Sequence, residues 1–375
     1  MAQRRICLVV FFSSAYLYCT VQAQYEKYSF NSFPANDLMP LESAYGHALE
    51  MYAAQDWKQS AKYLELSLRL HRLLKDSEAH CSQNCSAVGR EHEENNTETT
   101  LLIMGHIIMR AACLKRCKTN FPVFSKSYPK RETLGAFEQR IPYRYLQYVY
   151  YQVKDHLERA VSAAHSYLQR NPEDPLLSRS LNYYKSLFDT EEYLVHHEEK
   201  PCEALFLKAV KLYNSGDFSS SARDMELAAA EYFKTFNTCL MSCEGSYDVQ
   251  EFKDFYPTLA DFYFEVMKCK VKCEENLIPN VGGFFVEKFV ATMYHYMQFA
   301  YYKLNDVRNA ALCAASYMLF DANDQVMQQN MAYYRFHRQQ WGLQDEHFKP
   351  RPYYNVCLSI TNNIKVIVIL FLYTF

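Results

Sequence analysis

Residues 203–235 read EALFLKAVKLYNSGDFSSSARDMELAAAEYFKT. Leu205, Ala209 and Leu212 fall on one face of a helix, and Met225, Ala228 and Ala229 fall on one face of a second. Between them, Tyr213-x-x-Gly216-Asp217-Phe218 supplies an aromatic ring and a tight polar turn. Ala222 comes next as a small residue, which lets two antiparallel helices cross closely. The same form recurs at Tyr52-x-x-Gln55-Asp56-Trp57, Tyr151-x-x-Lys154-Asp155 and Tyr302-x-x-Asn305-Asp306, each with its own Ala downstream: Ala61, Ala160 and Ala310. Helical periodicity also runs through 42–75, 141–170 and 286–320.

Helix, aromatic-bounded turn, helix, four times over, resembles the tetratricopeptide repeat, with Gly kept at only one of the four turns. A longer duplication lies above these repeats. Tyr52, Asp56, Ala61 and Glu65 recur 161 residues later as Tyr213, Asp217, Ala222 and Glu226. Gln147, Tyr150, Tyr151 and Asp155 recur 151 residues later, and Tyr183-Tyr184 recurs as Tyr333-Tyr334. The fold expected is therefore all-α: tetratricopeptide-like helical hairpins in two duplicated units, 24–190 and 202–352, with a mixed-charge hinge at 191–201. Composition agrees, because 9 Gly in 375 residues is too few for the many φ > 0 turns of β-sandwiches, barrels and doubly wound α/β folds.

Forty Lys and Arg against 42 Asp and Glu give a net charge of −2, which carries no electrostatic footprint for nucleic acid. The first five residues form a short basic segment with Arg4 and Arg5, Ile6 to Cys19 is apolar, and Val21-Gln22-Ala23 is a small-x-small cleavage site, so 1–23 reads as a signal peptide. Of 13 cysteines, 11 then enter an oxidising compartment. Eight of them form C-x3-C pairs: Cys81/Cys85, Cys113/Cys117, Cys239/Cys243 and Cys269/Cys273, repeated between the halves at offsets of 158 and 156.

Spacing i, i+4 places two sulfurs a turn apart on one helical face. Two such faces on antiparallel helices meet as a two-rung ladder, which predicts Cys81–Cys117 with Cys85–Cys113, and Cys239–Cys273 with Cys243–Cys269. A four-cysteine zinc site would use C-x2-C or C-x4-C in loops, and a redox dithiol would be C-x-x-C beside a βαβ pattern; neither pattern is present. Cys202, Cys313 and Cys357 are left over, the first two either paired together or buried.

Nothing in the chain reads as a catalytic centre, a cofactor site or a metal site. No His-x-Asp occurs, and the His-x-Glu strings starting at His92, His156, His196 and His197 lie in charged surroundings that read as solvated surface. No G-x-S-x-G, phosphate loop or dinucleotide fingerprint is present. Two helices are dense in tyrosine, and Tyr148, Tyr151, Tyr296 and Tyr302 are the candidates for a binding surface on the concave face of the solenoid. Asn95, in EHEENNTETT, is the expected glycan site, whereas Asn84 adjoins a cysteine expected to be bonded. The terminal apolar run Val366–Phe375 spans about 15 Å as a helix against a hydrocarbon core of roughly 30 Å, so no membrane span is expected.

QYEKYSFNSFPANDLMPLESAYGHALEMY from Gln24, the four C-x3-C pairs, VEKFVATMYHYMQFAYYKLNDVRNAA from Val286 and DEHFKPRP from Asp345 together resemble the leprecan family over Gln24 to Pro352. The resemblance implies a non-catalytic helper of an endoplasmic reticulum complex with a prolyl 3-hydroxylase and cyclophilin B, acting on procollagen chains. Prolyl 3-hydroxylases of that family carry an iron- and 2-oxoglutarate-dependent domain after this helical region, and none is expected here. The family continues past Pro352 into an acidic region, whereas this chain carries an apolar tail, 353–375, without a KDEL-type signal; retention is expected through partners. Two other classes stay open on the residues alone: a secreted extracellular-matrix glycoprotein and a thiol-dependent chaperone.

Overall fold

The computed structural model describes residues 33–86, 99–153, 157–245 and 255–351. The signal peptide 1–23, Asn95, His92, His156, Lys154-Asp155, Cys357 and the tail 353–375 lie outside the described residues. The first unit holds α1 (Leu41–Ala53), α2 (Trp57–Asn84), α3 (Thr99–Thr119), α4 (Arg131–Glu138), α5 (Ile141–Val153), α6 (Leu157–Leu168) and α7 (Pro175–Leu187). The second holds α8 (Pro201–Asn214), α9 (Phe218–Gly245), α10 (Phe255–Glu275), α11 (Phe289–Lys303), α12 (Val307–Tyr317) and α13 (Gln325–Phe336). Where the first unit has α4, the second has a two-stranded hairpin, β1 (Asn280–Val281) with β2 (Phe284–Phe285). The tetratricopeptide-like, duplicated all-α architecture is as the sequence indicates.

The interhelical turns keep a glycine's geometry with glycine at only one of them. Gln55, Gly216 and Asn305 occupy equivalent places, all left-handed, with φ of 61°, 85° and 61°. Only Gly adopts that region without strain, and Gln55 and Asn305 are held there by the capped helices that begin directly after them. Asp56 accepts a hydrogen bond from Gln59 N (3.2 Å), Asp217 from Ser220 N (3.0 Å) and Asp306 from Asn309 N (3.1 Å), capping the second helix of each pair. Across the hairpin, Ser60 Oγ donates to Ala48 O at 3.0 Å, and its counterpart Ser221 Oγ donates to Ala209 O at 2.9 Å. Those bonds draw α1 to α2 and α8 to α9, with Ala222 buried on α9, as Ala160 is on α6 and Ala310 on α12.

Each unit has its own apolar core. Large tyrosines are buried in both, so their hydroxyls need partners inside the protein; an unpaired buried polar group costs about 1–3 kcal/mol. The duplication supplies them twice. Tyr150 donates to Glu65 at 2.6 Å and Tyr301 to Glu226 at 2.9 Å, while Gln147 donates to the Tyr184 oxygen and Gln298 to the Tyr334 oxygen. The cation on the carboxylate differs between the copies. Glu65 pairs with Arg159 of α6 at 3.0 Å, but the matching place on α12 is Ala310, and Glu226 takes Arg351 instead, at 2.7 Å from both carboxylate oxygens. Arg351 N also donates to Ser316 Oγ (3.2 Å), so the segment after α13 is strapped back over α12.

All four expected disulfides form. Cα–Cα distances are 5.6 Å for Cys81–Cys117, 5.9 Å for Cys85–Cys113, 5.9 Å for Cys239–Cys273 and 5.7 Å for Cys243–Cys269. Cys202 and Cys313 are buried and unbonded, not paired with each other. Breaking the rung Cys85–Cys113 with paired serines is expected to cost less than the roughly 3.5 kcal/mol that the chain-entropy model gives for an isolated closure of 28 residues, because Cys81–Cys117 still constrains the unfolded hairpin. Denaturant titration measures the loss. Removing both rungs of one ladder should release amide exchange in the distal end of α2 while its proximal half stays protected; uniform release along α2 would contradict that division.

Candidate functional site

The tyrosine-dense helices sort their rings by helical position. On α5, Tyr143 and Tyr150 face the core, while Tyr145, Tyr148 and Tyr151 stand at i, i+3 and i+6 on the other side. On α11, Tyr294 is buried and the outward row is Tyr296, Phe299 and Tyr302. Tyr148 and Tyr302 are exposed, at 40% and 37%, and Tyr151 and Tyr296 are half-buried. The structure places the four rings named from sequence in these two rows, though Tyr296 corresponds to Tyr145 and not to Tyr148.

Rings from other helices extend each row. In the first unit Tyr52 of α1 lies 5.1 Å from Tyr145 and 5.8 Å from Tyr148, and Trp57 of α2 lies 5.7 Å from Tyr148. In the second, Tyr213 of α8 lies 4.9 Å from Tyr296 and 5.7 Å from Phe299, and Phe218 lies 6.1 Å from Phe299. At the other end Tyr151 meets Tyr183 at 6.2 Å and Tyr184 at 5.9 Å, while Tyr302 meets Tyr333 and Tyr334, each at 6.4 Å. Edge-to-face and tilted contacts at 4.5–7 Å are the favoured aromatic geometries, so each row is stiffened by its own neighbours. Sequence reasoning passes over Tyr52, Trp57, Phe218, Phe299, Tyr183 and Tyr333 as ligand contacts. The signal for them is the duplication, which pairs them across the two halves.

The histidine strings at 196–199 are a correction. The sequence pattern puts His196 and His197 on a solvated surface, but His197 is 5% exposed and the His196 side chain 14%. Residues 194–200 form a strap laid against the first unit. Arg140 Nη1 lies 2.7 Å from His196 Nε2 and donates to Ser166 O at 2.8 Å; His197 N donates to Ser166 Oγ at 2.9 Å. Glu198 takes Arg72 at 2.9 Å and the Tyr143 hydroxyl at 2.6 Å. The strap also reaches the second unit: Lys200 Nζ donates to Asn276 O at 3.0 Å, beside Arg170 Nη2 on Asn276 Oδ1 at 3.1 Å.

Burial, reinforced by Arg140, pushes His196 down to about 2. Burial pushes His197 to about 4 against the pull of Glu198, and takes His165 to about 4 and His71 to about 3. Burial works to raise Glu198, but Arg72, the Tyr143 hydroxyl and Arg140 outweigh it and hold the carboxyl below its usual range. At neutral pH these histidines are uncharged, while Glu198 is ionised and fully engaged. They are poorly matched to general acid–base work, which wants a pKa near the operating pH.

The thiols offer little more. Burial pushes Cys202 and Cys313 up to about 12, so neither supplies thiolate at pH 7. Among the described residues the one cluster with metal-ligand spacing is Cys239, Cys243 and Cys273, whose sulfurs are all spent in disulfides. Asn84 ends α2 exposed, its Nδ2 2.9 Å from His80 Nε2.

Residues 40–338 match the family model of the leprecan family TPR-like repeat region. Human endoplasmic reticulum protein SC65 is 56% identical over 339 residues, covering 88% of this chain and 77% of that protein. Human cartilage-associated protein is 54% identical over 333 residues, covering 88% of this chain and 83% of that protein. Human prolyl 3-hydroxylase 1 is 32% identical over 304 residues, which is 76% of this chain but 41% of the enzyme.

The buried histidines fix a pH dependence. Their folded values lie below the unfolded 6.5, so the stability they contribute is complete above pH 6.5 and is lost as pH falls toward 2–4, when only the unfolded chain takes up the protons. Glu198, also depressed, adds loss in the same direction at lower pH. Urea midpoints should fall from pH 7.5 to 5.5, the unfolding free energy dropping by up to about 1 kcal/mol per pH unit for each histidine. Equal midpoints at the two pH values would show that the strap is open to solvent.

Proposed function

The chain belongs to the leprecan family, and from that premise we propose that it is a non-enzymatic helper subunit in the lumen of the endoplasmic reticulum. It works beside a prolyl 3-hydroxylase and cyclophilin B, holding unfolded procollagen chains for proline 3-hydroxylation and folding. The observation that carries this reading is the pair of aromatic rows.

On α5 the row from Tyr145 to Tyr151 spans six residues, about 9 Å of helix. The row from Tyr296 to Tyr302 on α11 has the same span. A polyproline II strand advances about 9 Å in one turn of three residues, so a Gly-x-y chain presents like side chains at that interval. Flat rings held by ring neighbours pack on proline without losing further freedom, and tyrosine hydroxyls can donate to the carbonyls that a polyproline II backbone leaves without internal partners. Two rows, one per unit, would hold one chain at two places and raise its effective local concentration.

Support for the partners comes from kinship. The repeat region is similar both to proteins named without an activity and to one named a prolyl 3-hydroxylase, in which it occupies less than half the length. A helical unit that fills less than half of the enzyme and most of the proteins named without an activity is suited to presenting the substrate that the enzyme modifies.

The test is binding of an unhydroxylated, proline-rich procollagen peptide to the full disulfide-bonded chain. Tyr148→Ala with Tyr302→Ala removes one exposed ring from each row without opening the cores. At about 0.5–1.5 kcal/mol per ring, affinity should drop roughly tenfold. Unchanged affinity, or equal binding of an unfolded peptide without proline, would overturn the reading.

A further inference from the structure

The two cysteine hairpins are built alike and charged differently. From Arg110 to Arg131 the first unit carries seven Lys and Arg and no Asp or Glu, whereas the corresponding stretch 266–287 carries three of each. The second copy closes the same ladder, with Cα–Cα distances of 5.9 and 5.7 Å against 5.6 and 5.9 Å in the first. The fold therefore does not require the cations. In a chain of net charge −2 they form a local excess of positive charge.

The cations cluster on the surface formed by the end of α3 and the loop that follows it. Lys115 and Arg116 are exposed on the last turns of α3. Lys118 Nζ lies 5.5 Å above the Phe124 ring, which joins the end of α3 to the turn Pro122–Ser125, and exposed Lys126 comes directly after that turn. The Tyr128 hydroxyl donates to Glu78 at 2.7 Å and so docks the loop on α2. Carboxylates nearby are already engaged or lie at the edge. Glu78 is buried beneath Tyr128 and Lys75, Glu42 faces Lys130 at 3.5 Å, and Glu265 faces Arg131 at 2.9 Å. Asp76 and Glu132 are exposed at the margins. Glu91, Glu93, Glu94 and Glu98 precede α3 in sequence, and the first turn of α3 lies about 25 Å of helix from Arg116. Among the described residues Lys115, Arg116 and Lys126 have no carboxylate partner.

We propose that this face binds a sulfated glycosaminoglycan. Exposed cations spread over a helix end and a loop, with no enclosing pocket, match an extended polyanion and not a small ion. A protein partner would need an apolar, desolvated centre. Here the central ring, Phe124, is half-buried under Lys118, and the exposed apolar side chains Met109 and Tyr128 lie at the borders. The disulfides fit the secretory pathway, whose later compartments and the extracellular space hold sulfated polysaccharide and no nucleic acid.

The experiment uses the full oxidised chain with heparin, de-sulfated heparin and a poly-glutamate peptide, titrated at several salt concentrations. The variant Lys115→Glu/Arg116→Glu/Lys126→Glu is compared with Lys58→Glu/Lys185→Glu/Lys211→Glu, which changes the net charge equally at exposed sites elsewhere. Wild-type chain should bind heparin best. The patch variant should lose at least about tenfold in affinity, and its slope of log Kd against log salt should flatten by about 2–3, near one per lost contact. The control variant should stay within about threefold of wild type. The proposal fails if both variants lose equally, if de-sulfated heparin binds as well, or if poly-glutamate binds as tightly, which would mark an acidic-protein site instead.

Discussion

The long helices α2 and α9, 28 residues each, run past the helices that bury their proximal halves. Their distal ends meet α3 and α10 through paired cystines. Among the described residues of the first unit the apolar cluster there consists of Cys81, Cys85 and Leu114, with Cys113, Cys117 and Phe121 packed beside it, and four of those six are the bonded cysteines themselves. Covalent closure lowers the entropy of the unfolded hairpin and so reduces the cost of ordering its two helices. In the second unit the ladder joins the main core through Cys243, Cys273, Val266 and Leu277.

With the hairpins fixed, the remaining constraint is the orientation of α5 and α11. Both turn polar side chains inward: Tyr150 and Tyr301 donate to Glu65 and Glu226, and Gln147 and Gln298 donate to the hydroxyls of Tyr184 on α7 and Tyr334 on α13. Those bonds allow little rotation of the helix, because rotating it would strand a buried polar group. The outward row is set by the inward one. That link makes the aromatic rows a consequence of core chemistry and gives them the rigidity that binding an extended chain at low entropic cost requires. Arg351 shows how firmly the arrangement is kept, since a cation is brought from beyond α13 to serve Glu226 where the helix itself supplies only Ala310.

Much of this is legible in the sequence, for reasons that differ by element. Helices, turns and the cysteine ladders are local or periodic features, and the repeated offsets check each against its copy. The left-handed residues at the turns are visible only at Gly216, because Gln55 and Asn305 carry no glycine to announce the geometry. The strap at 194–200 is misleading in sequence because a run of His, Glu and Lys is ordinarily solvated. Its partners Arg72, Tyr143 and Arg140 sit 126, 55 and 56 residues from the groups they hold, and no window of sequence joins them. The full aromatic rows are hidden for a related reason: Tyr52, Trp57 and Tyr183 reach α5 from three other helices.

The central claim is that the aromatic rows are where an unfolded, proline-rich chain lies. It is tested most directly by placing a photoreactive side chain within an unhydroxylated procollagen peptide and mapping the crosslinks on the full disulfide-bonded chain by mass spectrometry. The account predicts crosslinks on the outward residues of α1, α5 and α7 and of α8, α11 and α13, suppressed by excess unlabelled peptide. Crosslinks confined to the cysteine hairpins or to the 194–200 strap would contradict it.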